Sequence, residues 1–178
     1  QPSCATVATE GMVVRTNTPE PRASRATVLD LNLRHHPLDC PACEASGACR
    51  LQDFAYECGP HRVSFFRPPG LPGIDYQEAR WSPLLAYDPH KCVECLRCVR
   101  ACDELHDCRA LSTSARGHAL KVTTFGDGPL CCDFCGTCAA VCPTGAITQQ
   151  PGRGRQKDWE CEKRPAICAH CGHGCTLV

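Results

Sequence analysis

The chain has 178 residues, 19 Lys and Arg against 19 Asp and Glu, and 19 cysteines. Zero formal charge and scattered basic residues exclude a nucleic-acid-binding stripe, and no long apolar run is present to suggest a membrane segment. Cysteines only two or three residues apart are too close for most disulfides, and their total is odd, so a metal framework outranks a disulfide one.

Residues 1–17 read as a strand end, with Met12, Val13 and Val14 as a short apolar run after Gly11. Thr18 is a helix cap with Pro19 at the first helical position. Val28 with Leu31, and Leu29 with Leu33, share faces as in an amphipathic helix that Pro37 ends. Arg50 to Cys58 reads as a second helix terminated by Gly59. Residues 60–82, rich in Pro and Gly, read as loop. Ala119 to Thr124 and Ala146 to Thr148 read as strands, and Gln149 to Gln156 as a polar linker. Trp81, Trp159, Phe65 and Phe66 are expected to pack, and Asp103 and Glu104 to lie on a solvated helix face. Without cysteine, apolar residues are about a third of the chain, so its cores are small and bound metal would supply folding free energy.

Between residues 83 and 150 one spelling occurs twice: Cys-x2-Cys-x2-Cys-x3-Cys. The copies are Cys92, Cys95, Cys98, Cys102 and Cys132, Cys135, Cys138, Cys142, the second followed by Pro143. This is the two-cluster bacterial ferredoxin pattern, in which three thiolates on one loop hold three corners of a 4Fe–4S cube and the fourth reaches the other cube. The assignment is Cys92, Cys95, Cys98 and Cys142 for one centre, and Cys132, Cys135, Cys138 and Cys102 for the other. Within each copy the third and fourth cysteines lie four apart, which fits the first turn of a helix leaving a loop. Zinc sites draw on two close pairs rather than nested triples.

Three further groups carry ligands. His36-x3-Cys40-x2-Cys43-x5-Cys49 suits zinc or a cube on spacing alone, with His35 as the competing imidazole; the neighbouring ferredoxin motif favours the cube. Cys168-x2-Cys171-x3-Cys175 offers three ligands without a fourth, and is equally open to half of a zinc site. Cys4 stands alone near the start. Cys58, Cys108, Cys131 and Cys161 fit no ligand spacing and are expected to be structural. No Gly-rich phosphate loop, nucleophile elbow or metalloprotease helix occurs, so no catalytic residue is assigned.

The order of these motifs resembles a known family. His36-Pro-Leu-Asp-Cys40-Pro-Ala-Cys43 with Cys49-Arg-Leu-Gln-Asp is similar to the His(Cys)3 domain shared by complex I large subunits, iron-only hydrogenases and NAD-linked formate dehydrogenases; the family pattern selects His36 over His35. Ser3-Cys4 with Glu10-Gly11-Met12-Val13-Val14 resembles the tail of a plant-type 2Fe–2S domain, which makes Cys4 its last ligand. Cys135-Gly-Thr-Cys138 through Cys142-Pro-Thr-Gly-Ala146 resembles the second ferredoxin motif of the hydrogenases and formate dehydrogenases, where the complex I subunit usually lacks cysteines. Trp159-Glu160 with Cys168-x2-Cys171-Gly-x-Gly-Cys175 resembles the opening of a molybdopterin oxidoreductase domain. Taken together, the four parts resemble the formate dehydrogenase alpha subunit, although Ala169-His170 stands where that family has Pro-Tyr.

The resemblance implies an α+β fold, a string of small iron–sulfur domains that includes a βαββαβ-type two-cluster ferredoxin domain. Expected boundaries are 1–17 for the 2Fe–2S tail, 18–80 for the His(Cys)3 domain, 81–150 for the ferredoxin domain and 151–178 for a linker with the start of a molybdopterin domain. Three complete 4Fe–4S sites, one incomplete one and a single 2Fe–2S ligand are implied, with molybdopterin and Mo or W beyond Val178. The implied role is one-electron conduction from that centre toward a flavin- and NAD-binding diaphorase-type subunit in a hetero-oligomer, in the cytoplasm; the alternatives are the electron-input domain of an iron-only hydrogenase or complex I large subunit relative, or a stand-alone polyferredoxin carrier. The chain reads as a piece of a longer polypeptide.

Overall fold

The computed structural model describes residues 5–60, 81–150, 157–169 and 172–177. Helix α1 spans Pro19–Leu33, entered from an extended Thr18, with Pro19 where the missing N–H costs nothing. Its expected amphipathicity is only half met. Leu29 and Leu33 are partly buried, whereas Val28 and Leu31 are exposed and the buried position is Asp30, held by Arg34 one turn on at 2.9 Å. Helix α2 spans Arg50–Cys58 and ends at Gly59 as expected, but for a different reason. Gly59 is extended rather than left-handed; a Cβ there would lie 2.4 Å from the Ala55 carbonyl oxygen, so the site requires close backbone approach.

The Met12–Val14 run forms no strand. None of the described strands pairs with it, and Val13 and Val14 are exposed. Met12 N–H instead donates to the Thr9 carbonyl at 3.1 Å, closing a turn rather than entering a ladder. The loop expected over 60–82 lies almost wholly outside the described residues, as do Phe65 and Phe66.

From Leu85 the order is β1 (Leu85–Tyr87), α3 (Arg97–Arg100), β2 (Leu111–Ser114), β3 (Lys121–Thr124), α4 (Thr137–Ala140) and β4 (Ile147–Gln149). The sequence of elements is thus βαββαβ. The strands form two antiparallel pairs, β1 with β4 (Tyr87 opposite Ile147) and β2 with β3 (Leu111 opposite Thr124). Asp88 N–H to the Ala146 carbonyl at 2.7 Å and Gln150 N–H to the Leu84 carbonyl at 2.8 Å extend the first pair. Because β4 closes on β1 across the whole unit, the two helices and the hairpin are trapped between its ends.

The core of this unit comprises Trp81, Leu85, Tyr87, Leu111, Val122, Leu130 and Ile147 with Cys98 among them. Trp81 stacks on Tyr87 with ring centroids 4.6 Å apart, as expected of a packing residue. Trp159 does not pack; it is 61% exposed. Two short strands, β5 (Ala166–Ile167) and β6 (Thr176–Leu177), pair near the end of the chain. Among the described residues, no helix is long and apolar enough to cross a membrane.

Candidate metal centres

The two copies of the cysteine motif fold alike. In the first, Glu94 and Leu96 flank Cys95 with φ of 55° and 57°; in the second, Phe134 and Gly136 flank Cys135 with φ of 53° and 77°. Three of these four are side-chain-bearing residues in the left-handed region, which costs energy and persists where the surroundings over-determine it. The turns curl each loop so that its amides face its own sulfurs. Glu94 N–H donates to Cys92 Sγ and Phe134 N–H to Cys132 Sγ, both at 3.4 Å. Each loop then runs into a helix carrying its third cysteine, Cys98 in α3 and Cys138 in α4. Cys102 follows in a π-helical turn, Ala101–Leu105, a distortion frequent at functional sites.

The fourth cysteines cross over. One cavity is lined by Cys92, Cys95, Cys98 and Cys142, and closed by Tyr87 and Ile147. A second is lined by Cys132, Cys135, Cys138 and Cys102, with a fifth thiol, Cys108. The electrostatics follow the same partition. Burial pushes the Cys98 thiol up to about 12, and the Cys92, Cys142 and Cys95 thiolates add to it. Burial pushes Cys138 up to about 11, with Cys135, Cys132 and Cys102 adding. Buried thiols crowded this way resist ionising unless a cation compensates.

Ahead of them Cys40, Cys43 and Cys49 act on one another, and His36 and Cys43 both lie near Lys91. Burial raises the Cys49 thiol; the Gln52 and Leu51 amides at the start of α2 oppose the shift, and the Cys43 and Cys40 thiolates reinforce it. His36 is buried and pushed below the ordinary histidine range, chiefly by that burial, so its imidazole favours the neutral, ligating form. Its Nδ1 is enclosed and has no hydrogen-bond partner. A Cβ added at Gly145 would meet the Cys43 sulfur at 2.9 Å, so the backbone leaves the room that sulfur needs. An orphaned imidazole nitrogen, three crowded thiols and this space fit a bulky thiophilic metal group.

These residues abut the Cys92 cavity. Arg50 N–H donates to the Pro143 carbonyl at 2.9 Å, directly after Cys142. Lys91, next to Cys92, sits 3.2 Å from Asp88 and 4.0 Å from Asp39. Burial pulls its pKa down, but Asp88, Cys43 and Asp39 together hold it above the ordinary lysine value. Lys157 Nζ donates to the Cys43 carbonyl at 2.6 Å. Among the described residues, no three His, Cys, Asp or Glu side chains converge as they would around one ion; the cysteines of the two ferredoxin-type cavities instead stand around the walls.

At the end of the chain, Cys168 N–H donates to the Cys175 carbonyl at 2.8 Å across the β5–β6 pair, with Gly174 left-handed at φ 68°. Cys171 and Cys4 lie outside the described residues. Of the unassigned cysteines, Cys131 and Cys161 are exposed and Cys58 is partly so; Cys108 alone enters a thiol-lined cavity. No spacing rule pointed to Cys108 or to Tyr87, because the structure, not the motif, brings them to the sulfurs.

Residues 25–64 match the NADH-ubiquinone oxidoreductase-G iron-sulfur binding region, and residues 82–148 the ferredoxin-like domain of NADH-quinone oxidoreductase subunit 3. The G 2 subunit of NADH-quinone oxidoreductase from Rhizobium meliloti strain 1021 is 42% identical over 178 residues, all of this chain and 21% of that protein. NADPH-Fe(3+) oxidoreductase subunit alpha of Geobacter sulfurreducens is 34% identical over 175 residues, 98% of this chain and 20% of that protein. NADH-quinone oxidoreductase subunit 3 of Thermus thermophilus is 34% identical over 186 aligned positions, 99% of this chain and 24% of that protein. The chain therefore spans about a fifth to a quarter of the length of these relatives. A solved chain from an NAD+-reducing [NiFe]-hydrogenase in the H2-reduced state superposes with a TM-score of 0.76 at 30% identity, covering 88% of this chain and 66% of that one. Oxidoreductase subunits thus share its sequence, and an oxidoreductase chain shares its fold: residues 25–64 and 82–148 carry the iron–sulfur binding and ferredoxin-like regions of the family of the G and 3 subunits of NADH-quinone oxidoreductase.

Proposed function

We propose that this chain is an electron wire with three complete 4Fe–4S sites: His36, Cys40, Cys43 and Cys49; Cys92, Cys95, Cys98 and Cys142; Cys132, Cys135, Cys138 and Cys102. The observation that carries the reading is the crossover of Cys102 and Cys142, each lining the cavity of the other's motif. Bound there, such clusters take up and release single electrons at potentials set by ligand charge, hydrogen bonds to sulfur and burial. The residues supply these levers. Glu94 and Phe134 donate amides to sulfur, the apolar walls exclude water, and Lys91 places a positive charge between two neighbouring sites.

The same reading divides the chain into 1–17, 18–80, 81–150 and 151–178, with Cys4 as the last ligand of a 2Fe–2S centre and Cys168, Cys171 and Cys175 as three ligands of a further cluster. The relatives' names include NADH, NADPH and NAD+ chemistry. On that basis a flavin-bearing, nicotinamide-binding subunit is the proposed partner, in a cytoplasmic hetero-oligomer. The finer proposal, formate oxidised at a molybdopterin-bound Mo or W beyond Val178, rests on the four-part motif order and on Cys168-x2-Cys171-x3-Cys175.

Metal analysis and EPR of the anaerobically purified holoprotein test the wire. The three complete sites predict about four iron and four acid-labile sulfide each, with signals reducible through a nicotinamide-dependent flavin partner. Zinc in place of iron at the ferredoxin sites would refute it. Formate-dependent reduction of the same signals, together with bound pterin, tests the finer proposal separately.

A further inference from the structure

The Cys132 cavity holds one thiol more than a cube needs. Cys108 lines it together with Cys132, Cys135, Cys138 and Cys102. Its amide donates to the Cys102 carbonyl at 3.0 Å, so the two cysteines approach the cavity side by side. On either side of Cys108, Asp107 and Arg109 are both left-handed, with φ of 47° and 51°, and Arg109 pairs at the surface with Asp103 at 2.7 Å and Asp107 at 3.1 Å.

We infer that Cys108 is an alternative fourth iron ligand of this centre, so that either Cys102 or Cys108 completes it. The inference rests on the reading of the Cys132 cavity as a 4Fe–4S site. Three loop cysteines, Cys132, Cys135 and Cys138, fix three corners in both forms. When the ligand changes, one iron–sulfur bond breaks and one forms; Cys108 releases its thiol proton and Cys102 takes one up, and no electron is gained or lost. Cys102 lies in a π-helical turn and Cys108 beyond it, so the two forms differ in the local geometry of one segment, 101–109. Among the described residues no fifth cysteine lines the Cys92 cavity, whose walls carry Cys92, Cys95, Cys98 and Cys142.

The experiment uses anaerobically purified holoprotein. Loss of a signal in Cys135→Ala identifies the centre, and the signal of the Cys92 centre reports folding. Cys102→Ala and Cys108→Ala are each expected to keep wild-type iron and a four-iron signal at this centre. The double variant is expected to lose one iron from it and show a three-iron signal when oxidised. Loss of the fourth iron in either single variant, or its retention in the double, overturns the inference. Should Cys102→Ala also abolish the Cys92 signal, Cys102→Ser preserves the volume. A light-atom contribution to the iron X-ray absorption no larger than the wild type's, where His36 nitrogen supplies it, then supports ligation by Cys108, and an added iron–oxygen bond overturns it. Wild-type protein without iron in this cavity would instead fail the underlying reading, and the inference with it.

Discussion

Gly145 backs onto the sulfur of Cys43: a Cβ at that position would stand 2.9 Å from Sγ and 3.3 Å from the Ala45 Cβ. A residue three beyond Cys142 thus shapes the pocket of a cysteine about a hundred positions earlier. Gly145→Ala is expected to displace Cys43 and destabilise the holoprotein by about 1–3 kcal/mol, the usual cost of overpacking. The altered EPR signal should be that of the His36 centre. Gly136→Ala is the control. Nothing lies within 4 Å of its missing Cβ, but its φ of 77° is left-handed. Strain of about 1–2 kcal/mol is expected there instead, with the perturbation confined to the Cys132 centre. Thermal inactivation and EPR of the two variants separate the cases; a Gly145→Ala protein with an unaltered His36-centre signal contradicts the packing argument.

Tyr87 closes the Cys92 cavity, and its buried hydroxyl stands against the Cys92 sulfur, which it can serve as a hydrogen-bond donor. Burial drives the Tyr87 pKa well above its ordinary value, with the Cys92 thiolate adding, so the hydroxyl remains a donor. A hydrogen bond to a thiolate ligand favours the reduced, more negative state of a cluster. Tyr87→Phe should therefore lower the midpoint potential of this centre by roughly tens of millivolts, and leave the Cys132 centre alone. The ring keeps its stack on Trp81, so folding should survive. Potentiometric EPR measures the shift, and an unchanged or raised midpoint counts against the bond.

These two residues mark where sequence stops being legible. The cysteine loops were readable as loops because their spacing is local: steps of two or three residues place three cysteines of each motif along the wall of one cavity. Helix α2 was readable to the residue because Arg50–Cys58 is bounded by Gly59. Cys108, Tyr87 and Gly145 act on sulfurs through tertiary contacts that no spacing encodes. The expected strand at Met12–Val14 and the expected packing of Trp159 failed for the converse reason. Each depended on a partner surface, and among the described residues none covers them.

In the proposed His36 centre the ligand charge depends on the imidazole. A neutral imidazole in place of a thiolate makes the cluster less negative and raises its potential. His36 is buried, and the charges named around it are Asp39, Asp88 and Lys91. His36→Cys adds a negative ligand without changing the ligand count. Its midpoint is expected to fall, so that a centre reduced early in the wild type becomes one of the last to be reduced. A potentiometric titration in which the order of reduction stays the same would defeat the charge argument.

Iron removal should expose how little else holds the ferredoxin unit together. Its strands are three or four residues long, and cysteines form part of its core. Chelation is expected to cost the cooperative unfolding transition and the protection of amides in β1 and β4 from hydrogen exchange. Any fold that persists without iron should also be alkali-sensitive. Cys98, ordinarily titrating near 9.0, is raised to about 12 by burial in the metal-free fold. A raised thiol contributes stability that is complete below its unfolded pKa and is lost as pH climbs through the folded one. The metal-free chain should therefore lose stability between pH 9 and 12, while the iron-loaded chain, its thiolates already ionised and bound, should not share this loss. Circular dichroism of both forms across that window checks the difference, and equal alkaline midpoints would argue that these sulfurs are not the ones iron holds.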